Sequence, residues 1–197
     1  MCGRYVGFSI SNDEELENLL KEVLIKTNTS TLNYTLKTNE EIFPNDVVPV
    51  FLLKNNKLQG HPMRWGFIGK DNKLIINTRS ETINDLYTWK DIVKTNRCII
   101  PSNGFYEWNK QEKTKYLFKL ENTENLYMAG LYKIFNKDNE KFVHFSIITT
   151  SSNNSVKDIH NRMPVIIRRD EFDKWLSSDY ESLLNRNNII LKRKLVV

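Results

Sequence analysis

Residues 97–108 read Arg97-Cys98-Ile99-Ile100-Pro101-Ser102-Asn103-Gly104-Phe105-Tyr106-Glu107-Trp108. The stretch opens on apolar and β-branched residues and closes on alternating aromatic and polar ones, which predicts a strand. Along its closing half, Phe105 and Glu107 share one face, and Tyr106 and Trp108 share the other. Three more β-rich segments follow: KYLFKL (115–120), LYMAGLYKIF (126–135) and KFVHFSIITTS (141–151). The polar stretches NKQEKT (109–114) and NKDNEK (136–141) between them read as hairpin turns. Four strand candidates in succession make this part of the chain β-rich.

Working upstream, residues 41–68 read as strands with a turn at KNNK (54–57), and KLIINTRS (73–80) as a short strand. The segment 11–25, SNDEELENLLKEVLI, is the clearest helix. Leu16, Leu19, Leu20, Val23 and Leu24 recur at helical spacing, and Ser11 or Asn12 supplies a cap. A polar loop is expected over 26–40 and a second helix over 81–95. Downstream, 169–178 and 179–186 suggest two short helices, and the basic, apolar tail 189–197 a closing strand. With no repeat or linker, 197 residues suit one α+β domain spanning 1–197.

Lys and Arg number 29 against 24 Asp and Glu, a net charge of +5 that suits a polyanionic partner. No apolar run reaches membrane-spanning length, and charges interrupt the first residues where a signal peptide needs an apolar core. A cytoplasmic location is the expectation. Two cysteines and three scattered histidines lack zinc-ligand spacing, which argues against a structural zinc site. The charge and single domain are compatible with a monomer.

Four short segments set reactive groups beside turns. The first is MCGRY (1–5). If Met1 is removed, Cys2 carries a free α-amine and a thiol on neighbouring carbons. Their ordinary pKa values, about 7.7–8.0 and about 8.5, leave both partly nucleophilic near neutrality. Such an aminothiol can trap an aldehyde as an imine and close it to a thiazolidine, or the amine can activate the thiol for amide hydrolysis. The second segment carries Asn77 and Arg79 on one strand face. The third carries Glu107, whose aromatic company would raise its pKa and suit proton transfer. The fourth is HNRMP (160–164), in which His160 and Arg162 could both reach an anion. Arg4, Arg79 and Arg162 have the planar fork that suits phosphate. Trp65 and Phe67, in RWGFI (64–68), are either core aromatics or platforms for stacked bases. His144 reads as a strand residue and His61 as a surface residue.

Taken in order, MCGRY, RWGFI, INTRSET (76–82), RCIIPSNGFYEW and HNRMPVII (160–167) resemble the SOS-response-associated peptidase (SRAP) family across nearly the whole chain. The resemblance implies an α+β fold with a mixed, barrel-like sheet flanked by helices. It implies recognition of abasic sites in single-stranded DNA during the DNA damage response, without metal or organic cofactor. A thiazolidine crosslink would form through Cys2, and removal of Met1 would be the protein's own peptidase activity. A lyase-like reaction belongs to the same chemistry. By the same resemblance, Asn77 holds the sugar or the N-terminal group. Glu107 is the acid/base, and His160 donates to the sugar oxygen. Arg4, Arg79 and Arg162 grip phosphates. Three positions depart from the family pattern: no Pro and second Trp follow Gly66, Thr78 replaces Ala, and Asn103 precedes Gly104. Two readings from other classes share these residues: an N-terminal-nucleophile cysteine hydrolase, and a non-catalytic single-strand-binding module.

Overall fold

A computed structural model describes residues 2–9, 13–32, 34–69, 72–121, 123, 125–137 and 140–196. In chain order the first elements are β1 (Arg4–Gly7), α1 (Glu14–Asn28), β2 (Glu41–Ile42), β3 (Val47–Lys54), β4 (Lys57–Trp65), β5 (Phe67–Ile68), β6 (Leu74–Ile75) and β7 (Asn77–Arg79). Then come α2 (Ile92–Thr95), β8 (Arg97–Asn109), β9 (Thr114–Leu120), β10 (Leu126–Lys137) and β11 (Glu140–Ser151). The chain ends with β12 (Arg162–Pro164), β13 (Ile166–Ile167), α3 (Phe172–Leu176) and β14 (Leu191–Val196).

Five strands close on themselves. β8 pairs with β10, β10 with β11, β11 with β4, β4 with β3, and β3 returns to β8 through Phe51 opposite Ile99. The β11–β4 seam is parallel and the rest of the ring antiparallel, so the core is a mixed barrel. Period-2 alternation sorts the apolar side chains into two layers. Val48, Val50, Cys98, Ile100, Met128, Phe145 and Ile147 fill the interior cluster. Phe51, Ile99, Ala129, Leu131 and Ile148, one residue out of phase, face the outer cluster together with Leu16 and Leu19 of α1 and Trp175 of α3. The expected α+β architecture, barrel-like and flanked by helices, is the one observed.

β8 contains the irregularity that positions the site. Opposite it, Val6 pairs with Gly104 but Gly7 pairs with Ser102, so Asn103 is an extra residue on β8. This is a β-bulge, and it reverses the in–out phase of the strand. Cys98 and Ile100 point inward before it; Phe105 and Glu107 point inward after it, both buried. Gly104 adopts φ +140°, and a Cβ there would lie 2.6 Å from the Phe118 carbonyl, so only glycine fits. Asn103 secures the bulge by accepting from the Ser9 amide through Oδ1 at 2.7 Å.

The helix α1 runs to Asn28 and buries Leu16, Leu19, Leu20 and Val23, whereas Leu24 is exposed. Its cap is Asp13, which accepts from the Leu16 amide at 3.2 Å; Ser11 and Asn12 lie outside the described residues. Asp13→Ala should lower stability by about 1 kcal/mol in chemical denaturation, the usual cost of a lost N-cap. An unchanged denaturation midpoint would show that the cap is dispensable.

The helix expected over 81–95 is not one. A 3-10 turn at Ser80–Thr82 and further turns precede the single helical turn of α2. Thr82, Asn84, Asp85 and Thr88 offer the backbone alternative hydrogen bonds, and of the apolar residues Ile83, Trp89 and Val93 are buried while Leu86 and Tyr87 are exposed. Residues 180–183 likewise form a 3-10 turn instead of a helix. The KNNK turn is as read, with Asn55 and Asn56 both at positive φ, as a two-residue hairpin turn demands. The turn at 109–114 joins β8 to β9; the one at 136–141 includes residues 138–139, outside the described set. The tail forms β14 along β9, and its Lys192, Arg193 and Lys194 leave an edge strand charged.

His144 is a buried residue of β11 bonded through Nδ1 to the Gly66 carbonyl at 2.7 Å. His61 is not a surface residue. It is half-buried, and its Nε2 lies 3.1 Å from the Lys26 ammonium. Burial, with Lys26 and Lys54 nearby, pushes its pKa down to about 4.

Candidate functional site

Four of the residues singled out in the sequence converge at one end of the barrel. Cys2 precedes β1, which lies against the part of β8 beyond the bulge, with Arg4 opposite Tyr106. Asn77 begins β7, which runs parallel to β11 with Asn77 opposite Ile147. Its Nδ2 donates to the Cys2 carbonyl at 2.9 Å, across 75 positions of sequence. Asn77 Oδ1 is buried and has no hydrogen-bond partner among the described residues. A buried acceptor left unmet costs roughly 1–3 kcal/mol, so this oxygen is suited to receive a donor from a ligand.

Glu107 projects from β8 into the same space, 3 % exposed. Burial raises its pKa from 4.5 to about 7, so near neutrality it holds and releases a proton with equal ease. His160 Nδ1 lies 3.8 Å from Glu107 Oε1. Burial lowers the pKa of His160, leaving its imidazole neutral at pH 7. Cys2 is fully buried, and its thiol is pushed well up by burial and then by the negative charge of Glu107. The thiol therefore stays protonated at neutral pH, while its Sγ contacts the Arg4 carbonyl at 3.7 Å. The arrangement can bind a polar group at Asn77, move a proton at Glu107 and His160, and present a sulfur at Cys2. Met1 lies outside the described residues.

The three arginines differ in their surroundings. Arg4 sits at the mouth, 4.3 Å above the Phe43 ring and 5.6 Å from the Trp108 ring, and bonds Glu41 at 3.1 Å. Lys115 shares that carboxylate at 2.7 Å and covers Tyr106 at 3.9 Å. Burial works against ionised Glu41, but the Lys115 and Arg4 hydrogen bonds hold its pKa below the usual range. Arg79 is exposed at the end of β7. Arg162 is mostly covered: it makes a two-point pair with Glu81 and donates to the Thr149 carbonyl at 2.6 Å.

Trp65 and Phe67 are core residues, not exposed stacking platforms. Trp65 is wholly buried, stacks on Phe145, and donates from Nε1 to the Ile76 carbonyl at 3.0 Å. That bond pins the backbone next to Asn77. Phe67 packs on Trp89 in the outer cluster. Their strand phase points both inside apolar layers, where no base can reach a ring face. The accessible aromatics beside Arg4 are instead Phe43 and Trp108. Trp108 was legible in the alternation of GFYEW; Phe43 had only its place after a short strand and before a proline.

Among the described residues no cluster of His, Cys, Asp and Glu could hold a metal ion, and no helix is long and apolar enough to cross a membrane.

Residues 1–194 match the family model described as SOS response associated peptidase (SRAP). The chain is 32% identical over 187 residues to "Abasic site processing protein YoqW" of Bacillus subtilis, covering 90% of this chain and 80% of that protein. It is 30% identical over 155 residues to "Abasic site processing protein HMCES" of Rattus norvegicus, covering 58% of this chain and 44% of that protein. A crystal structure of a Bacteroides thetaiotaomicron protein superposes with a TM-score of 0.75 at 21% identity, over 100% of this chain and 92% of the other. This last likeness concerns the fold alone. With its motifs in family order and the family model matched almost end to end, the chain belongs to the SOS response associated peptidase (SRAP) family.

Proposed function

We propose that this protein processes abasic sites in single-stranded DNA by forming a covalent thiazolidine crosslink through Cys2 after removal of Met1. The observation that carries the reading is a buried carboxyl tuned to about 7 beside a buried cysteine at the start of the chain. Relatives named abasic site processing proteins support the same substrate class.

An abasic deoxyribose equilibrates between a closed hemiacetal and an open aldehyde. Protonated Glu107 supplies, with His160 donating to the sugar oxygen, the proton that the ring oxygen takes up; the C1′–O4′ bond breaks and the C1′ hydroxyl loses its proton to water, leaving the aldehyde. The Cys2 amine adds to the C1′ aldehyde, and one water leaves to give an imine. Cys2 Sγ then adds to the same carbon, and its proton passes to the former imine nitrogen, closing a five-membered ring. A protonated thiol suits this order, since the amine attacks first and the sulfur is needed only once C1′ is already bound. Asn77 holds the Cys2 carbonyl and offers Oδ1 to the sugar. While Met1 remains, the Cys2 nitrogen is an amide and cannot react. Removal of Met1 by the protein itself would make Cys2 the nucleophile on its own preceding peptide bond.

The strand path follows charge and aromatic surface at the mouth. Arg4 between Phe43 and Trp108 suits a phosphate flanked by a stacked base. Arg79, exposed, suits a second phosphate. Arg79→Ala should weaken binding to abasic and intact strands alike, and reduce the slope of log affinity against log salt by about 1. Fluorescence anisotropy over a salt series measures both; an unchanged slope would remove Arg79 from the interface.

The function is tested by incubating Met-trimmed protein with a single-stranded oligonucleotide bearing one abasic site, beside an intact strand, on a denaturing gel. A shifted band that needs the lesion supports the crosslink. No band from a chain proven free of Met1 would overturn it.

A further inference from the structure

The guanidinium of Arg162, expected from the sequence to grip phosphate, is already engaged within the protein. It faces both carboxylate oxygens of Glu81 and donates to the Thr149 carbonyl and, at 3.2 Å, to Thr149 Oγ1. The Arg162 side chain is 14% exposed, whereas that of Glu81 is 44% exposed. A two-point Arg–carboxylate pair fixes orientation as well as distance. Ser151 Oγ donates to Glu81 at 3.4 Å, and the Arg162 hydrogen bonds hold the Glu81 carboxyl below the usual range, so the pair is ionised at neutral pH.

What this anchorage holds in place is the backbone of Arg162, and that backbone touches His160. The Arg162 amide donates to His160 Nδ1 at 3.1 Å, and the Arg162 carbonyl lies 3.1 Å from the same nitrogen. With the proton of the neutral ring on Nε2, Nδ1 accepts from the amide. In the imidazolium, Nδ1–H turns the same geometry to the carbonyl. The backbone of one residue thus suits either charge state without rotation of the ring. A His that gives and takes a proton during a reaction gains from that, because no reorientation accompanies the transfer.

We propose that Glu81 is a positioning residue for His160, acting through Arg162: the ion pair fixes the β12 backbone whose amide and carbonyl hold the imidazole. Glu81 touches neither the reacting groups nor Cys2; its effect passes through two residues. The inference rests on the proposed crosslinking only for its kinetic readout.

The test uses the Met-trimmed full chain as wild type, Glu81→Gln, Glu81→Asp and Arg162→Lys. Glu81→Gln keeps the size and loses the charge. Arg162→Lys keeps the attraction to phosphate and loses the two-point pair. The tautomer of His160 is read from its Nδ1 and Nε2 chemical shifts in the free protein, without DNA. Single-turnover crosslinking is read at saturating abasic strand, and reversible binding on an intact strand. We expect a single Nε2–H tautomer in wild type and Glu81→Asp, and mixed or shifted signals in Glu81→Gln and Arg162→Lys. Crosslinking should slow roughly 10- to 100-fold in those two variants, the scale of a misplaced catalytic group, with partial recovery in Glu81→Asp. A wild-type tautomer in both Glu81→Gln and Arg162→Lys would overturn the proposal. So would Glu81→Gln with an unchanged rate and tighter intact-strand binding, which would make Glu81 a counter-charge to DNA. If wild type itself does not crosslink, the proposed function fails, and the tautomer readout still decides this inference.

Discussion

Cys2→Ala is expected to abolish the abasic-site crosslink outright while leaving reversible binding to single-stranded DNA largely intact. The alanine chain, once trimmed of Met1, still has an α-amine and can form a transient imine. It has no sulfur to close the ring, so the imine returns to aldehyde and amine in water. The phosphate contacts proposed for Arg4 and Arg79 would not involve Sγ. The chain should stay folded, because Cys2 is a small buried residue and alanine fits within its volume. A denaturing gel with and without reducing hydride separates the two species: hydride captures an imine but is not needed for a thiazolidine. A Cys2→Ala band that resists denaturation without hydride would sink the mechanism. Cys2-dependent release of peptide from an added substrate, with no DNA adduct, would move the protein to the hydrolase reading. Equal affinity for abasic and intact strands with no adduct would leave a binding module.

Glu107→Gln is expected to reduce single-turnover crosslinking about 10²- to 10⁴-fold near pH 7, the usual contribution of a positioned acid or base. In the native protein two ionisations oppose each other. The amine must be neutral, which favours a pH above about 7.7–8.0. Glu107 must carry its proton, which favours a pH below about 7. The wild-type rate should therefore be bell-shaped with its maximum between those values. Glutamine removes the falling limb that Glu107 supplies, leaving a low rate that rises with the amine alone. Stability should move the other way. Because the folded carboxyl has the higher pKa, the native state is penalised as pH rises from 4.5, where the unfolded group ionises, to about 7, where the folded one does. Above that window the penalty is on the order of 3 kcal/mol. Glu107→Gln should accordingly be more stable than wild type at pH 8 and no more stable at pH 4. A bell-shaped profile retained in Glu107→Gln would assign the acid limb to another group.

Much of the site was legible because its residues lie in short motifs with their own chemistry. Cys2 follows Met1, Glu107 alternates with aromatics, and His160 and Arg162 lie two residues apart after a loop. The four strands β8–β11 were equally plain, since apolar alternation and turn residues report directly on a pleated, half-buried backbone. The segment 81–95 misled because its spacing allowed a helix, while its packing against the barrel rewards only one turn. Trp65 and Phe67 misled for a related reason. An aromatic residue reads alike in sequence whether it fills a core or waits for a base, and only strand phase tells them apart.

By itself the sequence determined which residues are candidates for the chemistry, Cys2, Glu107, His160 and Asn77, because each stands in a recognisable local setting. The tertiary structure alone decided which way they point. Glu107 enters the barrel because a single extra residue, Asn103, reverses the phase of β8 at Gly104, and register is a property of paired strands that no strand contains alone. Asn77 reaches Cys2 only because β7 lies beside β11 at the same end of the barrel as β1. Arg162 turns inward to Glu81 because the two meet across the fold, 81 positions apart in sequence. Contacts of that span depend on closure of the whole sheet, and closure is a sum over all its strands.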